Sequence, residues 1–301
     1  MSPPGNAAAS GSGRRATEPN GPFGSALTVA EFALLQNAGV APLAAVMGCN
    51  VRWFSMLLPM PALRPPGRRT WQYNVGLYKG NRYEHDVVAV SDLDAAETKA
   101  RHAALDQLRA EALELGANAV IGVRRLPGNV SQDRAPRSSR RWQALGASPS
   151  VTRQITHQIV GTAVRDPANR RRELRLSALS GSDFWKLRCA GWEPVGVVGG
   201  CSHQFGSNVW VNYAVRELQG VTAIWSSARA AALDQLWAEF AELSADGVVG
   251  LSFETHHETI KLFRQDHPGV LVSTTVTATA IRRAVKPAPT PLTPMRIIAV
   301  R

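Results

Sequence analysis

The chain is poor in cysteine and lacks any long uninterrupted apolar run. Its three cysteines are scattered and odd in number among 301 residues. This excludes a disulfide framework and favours a reducing compartment, so we expect a cytoplasmic protein. The most apolar stretch, Val40–Leu63, contains three prolines, Asn50 and Arg52, which excludes a membrane-spanning helix. The first residues carry arginines with no apolar segment behind them, so we expect a disordered tail over 1–25 rather than a signal peptide.

Catalytic fingerprints are absent as well. No GxSxG, GxxxxGK or GxGxxG motif occurs, and the glycines of Gly196–Gly206 fit none of these spacings. Asp106 and Glu111 have counterparts in Asp234 and Glu239, but a spacing of five on a predicted helix turns the two acids well apart. They therefore do not form an acid–base pair. We expect a protein that is not an enzyme, and we assign no catalytic residue.

The sequence does contain an internal repeat. Residues 100–123 read ARHAALDQLRAEALELGANAVIGV and residues 228–251 read ARAAALDQLWAEFAELSADGVVGL, an offset of 128. Upstream, EFALLQNAGVAP at 31–42 matches DFWKLRCAGWEP at 183–194, an offset of 152. A self-match at a fixed period indicates a duplicated structural unit. The difference between the two offsets predicts an insertion in the first unit, near residues 51–69.

The repeat divides the chain into two units. Copy one spans residues 26–166 and copy two spans residues 177–285, with a linker over 167–176 and a proline-rich tail over 286–301. Each unit should have its own core, so few contacts should cross the linker. The predicted fold class is α+β, with two tandem small domains that each pack a long helix on an antiparallel sheet.

The elements follow the same order in both copies. Each begins with a short helix, predicted by a capping box and by a glycine at the helix end. The capping pairs are Thr28 with Glu31 and Ser180 with Asp183, and the glycines are Gly39 and Gly191. A buried strand follows, over Leu43–Cys49 or Val195–Cys201, and then a second strand near Val87–Val90 or Trp210–Val215. The next element is a long helix over about 93–115 or 221–243 with leucines on one face. Two further strands close each unit.

Three features resemble the YbjQ-like proteins, often labelled heavy-metal-binding domains. They are the long helix ending in LGANAVIGV, the closing GTAV strand and the upstream AGxxPVGxVxG run. The resemblance covers about residues 28–164 and 180–281. It implies a small α+β unit, with one long helix on an antiparallel sheet, that assembles into a pentameric ring. Because the chain holds two units, either five chains form two stacked rings or one ring contains an even number of units, such as six from three chains.

Cysteine and histidine supply the one candidate metal site. Cys49 and Cys201 occupy equivalent positions after a glycine, and His203 lies two residues beyond Cys201, on the same face of an extended segment. A transition metal would be held there as the only cofactor that the residues suggest. The alternative is that both cysteines are small apolar packing residues, since no CxxC or HxxxH spacing accompanies them.

The positive charge is concentrated in one segment. The net charge is +11, and twelve arginines against three acids lie between Arg124 and Arg175. The loop 127–149 contains one aromatic residue, Trp142, and four arginines that would suit phosphate contacts to a nucleic acid or another polyanion: Arg134, Arg137, Arg140 and Arg141. The alternative is a solvated insertion that binds nothing.

These features together predict a non-enzymatic, self-assembling protein of tandem YbjQ-like domains with an unknown ligand. Its partner would be further copies of itself, in a ring of five chains, with no membrane contact. The repeated Arg101 and Arg229 could line an interface between subunits, because interfaces are enriched in arginine. Metal binding through cysteine and histidine is one alternative function, and polyanion binding through the arginine loop is another.

Overall fold

The computed structural model describes residues 24–57, 87–126, 150–169, 173–206, 219–260 and 269–284. Within these ranges the chain has four helices and two four-stranded sheets, which confirms the α+β part of the predicted fold class. The helices are α1 Val29–Asn37, α2 Ser91–Glu114, α3 Gly181–Cys189 and α4 Gln219–Glu242. The strands are β1 Ala41–Leu57, β2 Val87–Ala89, β3 Ala119–Leu126, β4 Ser150–Arg165, β5 Arg175–Leu176, β6 Trp192–Gly206, β7 Gly247–Ile260 and β8 Gly269–Arg283.

The short helices begin and end as their sequences predict. Thr28 accepts a hydrogen bond from the Glu31 amide at 3.3 Å, and the Glu31 carboxylate accepts one from the Thr28 amide at 2.9 Å. In copy two, Ser180 accepts from the Asp183 amide at 3.1 Å, but its hydroxyl then donates to the Asp183 carboxylate. Each helix ends before a glycine with φ near +75°, a conformation that costs glycine no side-chain clash.

The two sheets are built on one plan. The first has the order β1–β4–β3–β5 and the second has the order β2–β6–β8–β7. In the first sheet β4 pairs antiparallel with β1 on one side and β3 on the other, and in the second sheet β8 pairs in the same way with β6 and β7. The pairing register shifts near a glycine with positive φ in each outer strand, Gly122 in β3 and Gly250 in β7. Strands β1 and β6 are equivalent, and each is the edge strand of its own copy. Among the described strands, β6 has a further neighbour on that edge, β2, and β1 has none.

Each long helix lies very close to the edge strand of its own copy. A Cβ atom on Gly48 would lie 1.8 Å from the Ala104 carbonyl oxygen, and one on Gly200 would lie 2.1 Å from that of Ala232. The leucine face of α2 packs as predicted, with Leu105 and Leu108 in a buried cluster under the first sheet. Glycine at these two strand positions is therefore what allows helix and strand to touch.

The prediction of two separate cores is wrong, because the copies interlock. Strand β2 precedes α2 in copy one, yet it pairs with β6 of copy two, and β5 from the linker pairs with β3. One buried cluster mixes residues of both copies: Val90, Leu93, Ala100, Ile155, Phe205 and Leu271. The Arg188 side chain of α3 forms a buried ion pair with Asp166 at 2.9 Å. The first half of α2 faces copy two, so its apolar residues are buried only when both copies are present.

Candidate interface between the two copies

Backbone amides on the outer edge of β1 donate hydrogen bonds to side chains of α2. The Met47 amide donates to Glu111 at 2.7 Å, and the Cys49 amide donates to Gln107 at 3.0 Å. These bonds satisfy backbone donors that an edge strand would otherwise leave to water. The side chains of Met47, Cys49 and the following odd-numbered residues face away from α2, because Gly48 faces toward it.

The outer edge of β6 is built in the same way. The Gly199 amide donates to Glu239 at 2.9 Å, and the Cys201 amide donates to Gln235 at 3.1 Å. These acceptors are the repeat counterparts of Glu111 and Gln107. The difference lies on the other face of the strand, where β6 is covered by α2 of copy one. Strand β6 therefore lies between two helices.

Arg101 of α2 is the main polar link between the copies. Its guanidinium forms an ion pair with Glu239 and donates to the Gly199 carbonyl at 3.2 Å, and the residue is only 7% exposed. His102 Nε2 lies 2.9 Å from the same carboxylate. The sequence suggested that Arg101 lines an interface between subunits, whereas in the structure it contacts the second copy of the same chain.

Cys201 faces α2 and is buried. Its Sγ lies 3.4 Å from Thr98 Oγ1 and 3.5 Å from the Asp94 carbonyl oxygen. Burial raises the pKa of the Cys201 thiol to about 12, although the Thr98 contact acts in the opposite direction. The thiol is therefore protonated at neutral pH, whereas metal binding and nucleophilic attack require the thiolate.

His203 lies on the same face as Cys201, as the spacing predicts. Its Nδ1 is 2.8 Å from Asp94 Oδ1, and the same oxygen accepts the His203 amide at 2.7 Å. The Val90 amide donates to the His203 carbonyl at 2.9 Å, which continues the β2–β6 pairing up to the start of α2. Asp94 thus joins the first turn of α2 to the backbone and the side chain of one residue of copy two.

Glu97 lies between histidines from the two copies. Its carboxylate oxygens lie 3.5 Å from His157 Nε2 in β4 and 3.9 Å from His203 Nε2. Burial alone would raise the pKa of Glu97, but the contact with His157 and the charges of His203 and Arg125 lower it to about 2. Burial lowers the pKa of His157 despite the nearby carboxylate. Glu97 is therefore charged throughout the physiological pH range.

The predicted metal ligands do not come together. Cys49 lies in the first sheet, and Cys201 and His203 lie in the second, where their side chains contact Thr98 and Asp94. In the part of the chain that the structure describes, no group of three or more His, Cys, Asp or Glu side chains is placed to hold a metal ion. The four predicted polyanion contacts fall in 127–149, outside the described residues: Arg134, Arg137, Arg140 and Arg141.

Sequence reasoning missed Asp94, Glu97, Thr98 and His157. The residues predicted from the repeat are ones that both copies share, whereas at the repeat offset Asp94 corresponds to Thr222 and Glu97 to Trp225. The signal that could have identified these residues was the difference between the copies. Acids in the first two turns of one long helix are replaced by a threonine and a tryptophan in the other.

A relative aligns with most of the chain. It is a Mycobacterium tuberculosis protein named encapsulin nanocompartment protein Rv1762c, 28% identical over 257 residues that cover 77% of each chain. No family model matches the chain, and no solved structure matches it. Among the described helices, none is both long and apolar enough to cross a membrane.

This match corrects the function predicted from the sequence. The relative is named for a nanocompartment, which does not fit the prediction of tandem YbjQ-like domains with a ligand or its metal-binding alternative. Polyanion binding through the arginine loop stays a prediction. Only the self-assembly in that prediction fits the relative's name. The resemblance to YbjQ-like proteins was argued from local motifs and stays a prediction.

Proposed function

We propose that this chain is a structural subunit that assembles with further copies of itself into a protein compartment. The relative named for a nanocompartment supports the proposal, since its alignment covers 77% of each chain. The fold supports it too, because one copy already completes the sheet of the other through β2. Assembly between chains would extend a type of contact that the chain forms within itself.

The observation that carries the proposal is an apolar stripe on β1. Met47, Val51 and Trp53 share the face that points away from α2, and they are 53%, 49% and 64% exposed. Exposed apolar residues in a row on an edge strand are a signature of a surface that another chain covers. Soluble single-chain proteins leave such residues exposed singly rather than in a row.

Light scattering on the full chain after size exclusion tests this proposal directly. At micromolar concentration we expect one species whose mass is a whole multiple of 32.4 kDa. Negative-stain electron microscopy of that fraction should show particles of uniform size. A monodisperse species of 32.4 kDa that persists at the highest soluble concentration would refute the proposed function.

A further inference from the structure

We infer that α4 of one chain docks on the outward face of β1 of a second copy, and repeats between chains the contact that α2 makes with β6 within one chain. The inference rests on the proposed function and names the surface through which assembly occurs. The occupant of the β1 stripe is therefore α4 of the next chain, and the contact is head to tail.

The internal contact uses a different surface of each copy. Copy one contributes α2 and copy two contributes β6. If a two-fold axis related the two copies, the equivalent elements would make the equivalent contact, and α4 would also cover β1. The burial of equivalent residues excludes that arrangement. Phe205 of β6 is 0% exposed, whereas its counterpart Trp53 of β1 is 64% exposed. A head-to-tail contact within the chain leaves the outward face of β1 open in copy one and the surface of α4 open in copy two.

The open surface of α4 matches the buried surface of α2 position by position. Arg101 and Asp94 are buried, whereas their counterparts Arg229 and Thr222 are exposed. Trp225, the counterpart of Glu97, is 39% exposed. In the single chain the Arg229 guanidinium lies over the Phe253 ring, 4.9 Å from its centre, and Arg229 is exposed to solvent.

Charge complementarity between the two open surfaces follows from the repeat. Inside the chain Arg101 pairs with Glu239, which also accepts the Gly199 amide. On the open β1 edge, Glu111 accepts the Met47 amide in the same way and is exposed. Arg229 of the next chain would therefore meet Glu111 and the Met47 carbonyl, as Arg101 meets Glu239 and the Gly199 carbonyl.

The residues that differ between the two contacts change together. Glu97 of α2 faces His203 of β6, a polar pair at 3.9 Å. At the equivalent positions of the open surfaces, α4 carries Trp225 and β1 carries Val51, an apolar pair. Each contact is thus polar on both sides or apolar on both sides at this position. Such matched replacement is what two surfaces that pack together require.

A second strip of backbone supports the same pairing. The edge of β3 is covered by residues 175–179, with the Val123 amide donating to the Ser177 carbonyl and the Ser177 amide donating to the Val120 carbonyl, each at 2.9 Å. The equivalent segment 24–27 contains the same SAL sequence at 25–27. The Leu27 amide donates to the Ser25 hydroxyl, as the Leu179 amide donates to the Ser177 hydroxyl. In the described residues this segment joins no sheet.

The partner of this segment is the edge of β7 in a neighbouring chain. Strand β7 is the outermost strand of the second sheet, as β3 would be of the first without β5. Leu251 is 46% exposed there, whereas its counterpart Val123 is 4% exposed. Residues 24–27 belong to copy one and the edge of β7 belongs to copy two. When copy two of one chain docks on copy one of the next, the same contact therefore buries both. Copies one and two then alternate around a ring that contains an even number of units.

A charge-swap experiment tests this surface on the full chain. Arg229→Glu places two carboxylates together in every contact between chains, and Glu111→Arg places two guanidinium groups together. Each variant alone should shift from the wild-type assembly mass to 32.4 kDa in light scattering. The double variant that carries both substitutions should return to the wild-type mass, because every contact between chains then pairs opposite charges whatever the number of chains in the ring.

The controls separate loss of docking from loss of folding and from failure of the proposed function. Arg109→Glu, on the exposed Arg109–Asp106 pair of α2, should leave the assembly mass unchanged. Circular dichroism should show Arg229→Glu as folded as wild type, and recovery of mass in the double variant shows the same for Glu111→Arg. If wild type assembles while Arg229→Glu keeps its full mass, the inferred surface is wrong and the proposed function stands. If wild type is itself 32.4 kDa, the proposed function is wrong.

Discussion

Replacing Arg101 by methionine should destabilise the whole chain by about 3 kcal/mol. The Arg101 side chain is 8% exposed, and its guanidinium contacts Glu239 and the Gly199 carbonyl across the boundary between the copies. Removing one partner of a buried ion pair costs about 3–5 kcal/mol, since it leaves the other charge without compensation. Glu239 keeps the Gly199 amide and His102 and is 21% exposed, so the lower end of that range applies.

Arg109→Met on the same helix is the matched control. Arg109 pairs with Asp106 at 2.8 Å, but their side chains are 43% and 68% exposed, and such surface pairs contribute less than about 1 kcal/mol. Urea unfolding at one protein concentration measures both variants, because assembly makes stability depend on concentration. Equal midpoints for the two variants would refute the argument that Arg101 holds the copies together. Two separate unfolding transitions in wild type would refute it as well.

Three further outcomes follow from the same contacts. Stability should fall as the pH drops from about 6.5 to about 2. Buried His157 contributes to the loss below about pH 6.5, because the unfolded chain protonates this histidine more readily than the folded chain does. Glu97 contributes between about pH 4.5 and pH 2, because the unfolded chain protonates it near its ordinary pKa of 4.5 while the folded chain keeps it ionised to about pH 2. Glu97→Gln should flatten the slope between about pH 4.5 and pH 2 in thermal melts, and an unchanged slope in that range would show that other groups cause the loss of stability. Gly200→Ala should cost about 3 kcal/mol or prevent folding, because its Cβ would lie 2.1 Å from a backbone oxygen of α4, whereas Gly247→Ala, 3.8 Å from its nearest neighbour, should cost less than about 1 kcal/mol. In a variant whose other two cysteines are serine, Cys201 should react with a thiol reagent only after unfolding, because burial raises its pKa to about 12, and fast labelling of the folded chain would contradict this.

The sequence predicted most secondary-structure elements because the repeat and the capping residues act locally. The long helices were expected over 93–115 and 221–243 and lie at Ser91–Glu114 and Gln219–Glu242. The edge strand of copy one was expected to end near Cys49 but continues to Leu57, because β4 pairs with it along its whole length. Alternation in a single strand does not show how long its partner is. The strand predicted near 210–215 lies outside the described residues.

The exchange between copies could not be predicted from the repeat. A repeat shows that two units are alike, and it assigns the first half of α2 to its own unit. Leu93 and Ala100 are nevertheless buried against Phe205 of copy two. Asp94 and Glu97 were missed for a related reason, since they have no counterpart in α4. Residues that distinguish two copies of a repeat mark the contact that only one of them makes within the chain.

Cross-linking at one pair of positions tests head-to-tail assembly most directly. Ser226 of α4 is the counterpart of Thr98, whose hydroxyl lies 3.4 Å from Cys201, and Cys49 is the counterpart of Cys201. After mild oxidation in a Cys189→Ser background, Ser226→Cys should give species at multiples of 32.4 kDa on a non-reducing gel through a bond to Cys49 of the next chain. Thr98→Cys in the same background should cross-link to Cys201 within the chain and leave the mass unchanged. If Thr98→Cys forms its bond while Ser226→Cys remains a single chain under the same conditions, α4 does not dock on β1 of a second copy and the account is contradicted.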